Sequence, residues 1–262
     1  MRLKRKLKIF TSISLLIGLT AVAFSGATLA DETFTFSHGA ATGYGNAWSY
    51  TSASGDYTVT ATAWADTWEV SGSDKIENAE LDHFSGGLGV RNRNGNNEDQ
   101  GCCEHSMDNR NDYDFILFEF KDAATNANQA VTLSTVDLDW APYDSDLTVM
   151  AFSDPGASSV SPAGLAGVTL SSLTNTDSGW ERFDISNAGT SPKSVGAGTT
   201  LSSWWIVASS FNSADRDDKV KLAHIAALPG SPPSNGVPLP ASIFLMIAGL
   251  PLIRRFQRPR NA

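Results

Sequence analysis

The part of this chain between its two ends predicts an all-β domain, an antiparallel β-sandwich of which the jelly roll is one form. Three observations lead there. Short runs of β-branched and aromatic residues alternate with polar ones at period two, Gly, Asn, Asp and Ser separate the runs, and no long stretch keeps a helical period. Short strands punctuated by turn residues pack most simply as two antiparallel layers.

The order of elements starts with a leader. Residues 2 to 8 are basic, Ile9 to Phe24 are mostly apolar, and Ala27-Thr28-Leu29-Ala30 offers small side chains just before Asp31. That layout is a secretory signal peptide over residues 1–30. The exported β-sandwich domain is expected over 31–228. Its strand signals are Thr33 to Phe36, Tyr57 to Ala63, Phe115 to Phe120, Val131 to Trp140, Leu147 to Phe152 and Trp204 to Ala208. A Pro/Gly/Ser linker follows over 229–236, with the composition of a flexible to semi-extended spacer. The segment 237–262 then carries Val237-Pro238-Leu239-Pro240-Ala241, an apolar run to Ile253 and a basic tail around Arg254 and Arg255. Read as a helix from Leu239, this mostly apolar segment of 15 residues extends about 22 Å against a hydrocarbon core of about 30 Å. The expectation is a short transmembrane helix that attaches a precursor to the inner membrane.

Charge supports an outward-facing domain. All 28 acidic residues lie between Asp31 and Asp218, while nine of the 19 basic residues sit in the two end segments. Ten basic against 28 acidic residues leave the middle at −18. A domain that acidic repels phosphate backbones, which argues against nucleic acid as a partner and favours cations and neutral polymers. Basic flanks stay on the cytoplasmic side, so the acidic part is placed outside.

The order of spacer, Val237 to Ala241, short apolar stretch and Arg254-Arg255 closely resembles the VPLPA variant of the PEP-CTERM sorting signal, which exosortases of Gram-negative bacteria recognise. Gly87-Leu88-Gly89-Val90, Glu104-His105 with Asp108-Asn109, Asp112 to Phe120, Trp140 with Asp144 to Val149, and Ser202 to Val207 with Asp218 to Leu222 are similar to successive motifs of exosortase-dependent surface proteins. The resemblance implies sorting and processing of the chain by an exosortase. It also implies a final place at the cell surface or in the extracellular matrix of a Gram-negative bacterium, with extracellular polysaccharide as a possible partner. It carries no catalytic residues onto this sequence, and a non-enzymatic protein is expected. A secreted glycan-binding module is the alternative, and a glycan-processing enzyme ranks third.

Candidate sites follow from residue chemistry. Asp108, Asp112, Asp114 and Glu119 occupy positions 1, 5, 7 and 12 of a twelve-residue window, as in an EF-hand loop. The match fails in detail, because position 3 is Arg110 and position 6 is Tyr113 where the turn needs Gly. A looser grouping of Asp108, Asp112 and Asp114 with Asp144 and Asp146 predicts oxygen ligands for a hard cation such as calcium. The competing reading is that these are acidic turn and strand-end residues satisfying local backbone groups.

Cys102 and Cys103 are the only cysteines and are adjacent. They form either a tight vicinal disulfide or remain free thiols, since neighbouring Cα atoms lie closer than an ordinary disulfide allows. The seven Trp residues allow sugar stacking at Trp48, Trp64, Trp68 and Trp180, although large aromatics more often fill a core. No G-x-S-x-G, H-E-x-x-H or P-loop pattern occurs, and the four histidines are scattered.

Overall fold

The computed structural model describes residues 30–36, 46–67, 74–84, 86–92, 106–110, 112–153, 159–212, 214 and 216–230. Along them run β1 (Glu32–Thr35), β2 (Ala47–Thr51), β3 (Tyr57–Thr67), β4 (Lys75–Asn78), β5 (Glu80–Phe84), β6 (Gly87–Arg91) and β7 (Met107–Asp108). The second half holds β8 (Tyr113–Asp122), β9 (Val131–Trp140), β10 (Leu147–Phe152), a one-turn α1 (Leu170–Leu173), β11 (Trp180–Ile185), β12 (Lys193–Ser194), β13 (Trp204–Ser209) and β14 (Lys219–Pro229).

The strands build two sheets. The first runs β12-β9-β14-β6-β5, with β1 and β7 also pairing β14; the second runs β11-β10-β13-β8-β3-β2, with β4 added on β3. Every pairing between these strands is antiparallel. Two blocks of four strands stand out, β6-β14-β9-β12 in one sheet and β8-β13-β10-β11 in the other. Leaving the short β7 aside, the chain crosses between sheets at every step from β6 to β14 except β10 to β11. That eight-strand connectivity is a jelly roll. The remaining strands extend its edges.

Period-two alternation explains how the second sheet buries both faces. Ile116, Phe118 and Phe120 of β8, Trp205 and Val207 of β13 and Leu147, Val149 and Ala151 of β10 point into the core between the sheets. Their neighbours Phe115, Leu117, Ile206, Ala208 and Met150 point the other way, into a second apolar layer completed by Leu165, Leu173 and Trp180. A strand buried on both faces reads as a continuous apolar run. That is the appearance of Phe115-Ile116-Leu117-Phe118 and of Trp204-Trp205-Ile206-Val207-Ala208.

β14 is the spine of the first sheet, and its register with β9 shifts at three places. Val220 and Leu222 face the core, and so do Ile225 and Ala227. A change from even to odd positions requires an extra residue in β14, which the shift between Leu222 and His224 provides. Gly87 fits against this spine because a Cβ there would lie 2.3 Å from the Leu222 carbonyl oxygen, and its φ is +107°. The strand continues through Pro229, and the Gly230 amide donates to the Ala130 carbonyl at 2.8 Å.

The two-sheet antiparallel sandwich agrees with the sequence, but the transmembrane helix does not carry over. Among the described residues no helix is long and apolar enough to cross a membrane. The one α-helix has four residues, about 6 Å of rise against the 30 Å or so of a hydrocarbon core. The apolar side chains of the described chain are spent on alternating strand faces instead. The C-terminal transmembrane helix in the fold assignment, attachment to the inner membrane, and a membrane-anchored precursor as the location are therefore withdrawn. Residues 237–262, on which they were read, lie outside the described residues.

Candidate metal centre

One end of the sandwich gathers three carboxylates from distant parts of the sequence. The turn between β9 and β10 carries Asp144 and Asp146, and Asp218 immediately precedes β14. A parallel bridge joins Asp144 to Asp218, which brings the turn alongside the first residues of the spine strand. Asp144, Asp146 and Asp218 each present an oxygen, and these atoms all lie within 4.8 Å of one another. Asp218 is fully buried, while Asp144 and Asp146 are half-buried.

Backbone amides and one carboxamide hold these side chains in place. Asp218 accepts from the Asp146 amide at 2.7 Å through Oδ1 and from Asn109 Nδ2 at 2.6 Å through Oδ2. Asn109 in turn accepts the Asp218 amide at 3.1 Å, and its Nδ2 reaches the Ser210 carbonyl at 3.2 Å. The Asp144 carboxylate accepts from the Ser145 amide at 2.8 Å. Asp146 Oδ1 accepts the Asn187 amide at 2.6 Å, and Asn187 takes a left-handed φ of 50°. Five stretches of chain thus meet around the group: Asn109, residues 144–146, residues 187–189, Ser210 and residues 218–219. Charge-assisted bonds of this kind orient carboxylates strongly. The three acidic side chains can hold a metal ion.

The five ligands expected from sequence divide at this point. Asp144 and Asp146 belong to the group; Asp108, Asp112 and Asp114 do not. Asp108 lies next door, opposite Lys219 in the β7–β14 pair. Its Oδ1 accepts from the Arg110 amide at 3.0 Å, and its Oδ2 faces Lys219 Nζ at 3.8 Å. Asp114 accepts the Asp108 amide at 3.3 Å, and Asp112 accepts from Asn92 Nδ2 at 2.6 Å. These three tie the approach to β8 to its own backbone, to Asn92 and to Lys219. Sequence reasoning missed Asp218 and Asn109 as partners of the group. The available signal was the Asp217-Asp218 pair at the entrance of the last long strand.

Cys102, Cys103, Val237, Pro238, Leu239, Pro240, Ala241, Arg254 and Arg255 lie outside the described residues, as do Glu104 and Trp68. No protein-family model, curated protein or solved structure matches the chain. Every described Trp is buried or half-buried, which favours packing over sugar stacking. Trp205 and Trp180 each donate their indole N–H to a backbone carbonyl, the former to Ser202 at 3.0 Å and the latter to Val160 at 2.7 Å. Trp48 donates to the Leu81 carbonyl at 3.3 Å. Among the described residues the large exposed aromatic is Tyr143, 70% exposed and adjacent to Asp144.

Proposed function

We propose that this chain is a non-enzymatic, exosortase-sorted surface protein whose folded unit is a jelly-roll sandwich fastened by a calcium ion at Asp144, Asp146 and Asp218. The observation that carries the cation is the convergence of three carboxylates from two distant parts of the sequence on one point. Oxygen ligands of calcium sit at about 2.3–2.6 Å, so two on opposite sides are about 4.6–5.2 Å apart. The group's spread of no more than 4.8 Å suits that span. A divalent cation there offsets the mutual repulsion of three negative charges and ties the β9–β10 turn to the start of β14. Sorting rests on the Val237 to Ala241 and Arg254-Arg255 pattern.

Thermal unfolding of the full chain tests the cation. A cation that binds only the folded form, present at about 100 times its dissociation constant, adds about 2.7 kcal/mol, or about 5–11 °C for a domain of this size. Millimolar calcium is expected to raise the midpoint above ionic-strength-matched sodium chloride, and Asp218→Asn to remove the difference. Equal midpoints in the two salts overturn the calcium assignment and leave only screening of an acidic surface. For sorting, the mature mass is compared in cells with and without the exosortase; identical masses overturn that part.

A second reading, a secreted glycan-binding module, is favoured by Tyr143. Its exposed ring beside Asp144 offers a stacking face next to a cation whose remaining coordination positions sugar hydroxyls can fill. Calcium-dependent retention on immobilised polysaccharide that is lost in Tyr143→Ala selects this reading over the first.

A further inference from the structure

The second apolar layer is closed by a segment of unusual composition. Residues 159–175 contain no ionisable side chain. They run from Val160, through a turn at Pro162–Gly164, to α1. Leu165 and Leu173 are fully buried against Trp64, Ile76, Phe115, Leu117 and Ile206 of the second sheet. Val160 and Trp180 fasten one end. In the middle, both backbone groups of Ile76 in β4 hold the segment: the Ile76 amide donates to the Val168 carbonyl at 2.7 Å, and the Gly167 amide donates to the Ile76 carbonyl at 2.8 Å.

Asp66 sits directly opposite that attachment. It pairs with Ile76 on one side and Tyr113 on the other, and both of those side chains belong to the second layer. Successive residues of a strand alternate faces, so Asp66 shares the face of Trp64, on the side the segment covers. Asp66 is 5% exposed, and its Oδ1 has no hydrogen-bond partner. The Trp64 indole nitrogen on the same face also has none. A buried carboxylate with one oxygen lacking any donor disfavours its charged form.

We propose that residues 159–175 are a strap whose closure over the second sheet depends on Asp66 keeping its proton. The charged groups around Asp66 reinforce this. Asp74 just before β4 and Lys75 at its start lie on one side, and Asp112 just before β8 and Tyr113 at its start on the other, with Arg216 acting on Tyr113. Glu77 and Asp114 pair with Ala65, one register position away, on the other face. The strap supplies no charge. Burial first, then the negative charges of Asp74 and Asp112, push the Asp66 carboxyl up to about 7. With the strap open and the group solvated, its pKa returns toward the ordinary range near 4. The protonated acid therefore favours the closed form, fully below about pH 4, decreasingly up to about 7, and with no further change above that.

Hydrogen exchange of the full chain at pH 5 and pH 8, corrected for intrinsic rates, tests the strap. Peptides covering 159–175 are expected to lose protection about tenfold or more at pH 8 relative to pH 5, while β9 in the first sheet keeps its protection. Asp66→Asn, which cannot ionise, is expected to show no such change. Asp74→Asn, an exposed substitution, removes one like charge and is expected to move the midpoint to lower pH. Equal strap protection at the two pH values in the native chain overturns the proposal, and so does an unchanged loss in Asp66→Asn. If Asp66→Asn does not fold, the Asp74→Asn midpoint decides alone, and an unmoved midpoint overturns it.

Discussion

Arg91→Met probes how the open edge of the first sheet tolerates a buried charge. Asp82 of β5 has a side chain with no exposed surface, and Arg91 Nη2 of β6 lies 3.0 Å from its Oδ2. The same guanidinium reaches Glu80 at 3.7 Å. Burial raises the Asp82 pKa, while Arg91, and more weakly Lys221, oppose that. Methionine keeps much of the aliphatic bulk and removes the counter-charge. Breaking a buried pair from one side costs about 3–5 kcal/mol, because the remaining charge stays buried without compensation. Lys221 remains, so the lower end of that range applies. A loss of about 3 kcal/mol lowers the melting midpoint by about 6–12 °C for a domain this size.

The pH dependence separates this mechanism from simple loss of packing. Without Arg91 the Asp82 carboxyl moves further up, so the folded variant binds a proton more readily than the unfolded chain. Its stability therefore recovers as pH falls through the raised pKa and is lowest above it. Urea unfolding at pH 8 and pH 5 reads both quantities. The double variant Asp82→Asn with Arg91→Met is expected to be more stable than Arg91→Met alone at pH 8. A loss below about 1 kcal/mol that is the same at both pH values would refute the reasoning and make the pair equivalent to an exposed one.

Two further substitutions test the fold itself. Gly87→Ala is expected to cost at least about 2 kcal/mol in chemical denaturation, because the new Cβ meets the Leu222 carbonyl at 2.3 Å and a φ of +107° strains any side chain; a neutral result would mean β6 can slide on β14. Phe118→Ala is expected to cost about 3–5 kcal/mol, since this fully buried ring stacks on Phe36 at 5.6 Å in the middle of the core; a loss under about 1 kcal/mol would place the ring outside the cooperative unit.

Much of the sandwich was legible because period two carries its own signal. Val131–Trp140 and Leu147–Phe152 appear in the structure with the bounds their alternation predicts. The continuous runs in β8 and β13 carried a further message, a second apolar layer outside the sheet, which becomes readable only with Leu165, Leu173 and Trp180 in place. β14 was not among the strands that the alternation predicted. Its bulges break the alternation between Leu222 and Ile225, and its small residues Ala223, Ala226 and Ala227 carry little propensity. β5 and β11 mix charged residues into short strands, which weakens the apolar pattern there.

The carboxylate group that could hold a metal ion was only partly legible in its membership, and the reason is topological. Asp108, Asp112 and Asp114 cluster in sequence, but their oxygens are engaged away from the group, Asp108 by the Arg110 amide, Asp114 by the Asp108 amide and Asp112 by Asn92 Nδ2. Asp144 and Asp146 escape this because the turn holding them lies alongside Asp218, 72 residues beyond Asp146. That contact exists only after β9, β10 and β14 have found their places in the two sheets. A site made this way has no counterpart in the unfolded chain, so free energy of binding there is free energy of folding. If the proposed cation binds there, its affinity and the stability of the sandwich change together, and the residue that links them is Asn109, whose carboxamide positions Asp218 from within the approach to β8.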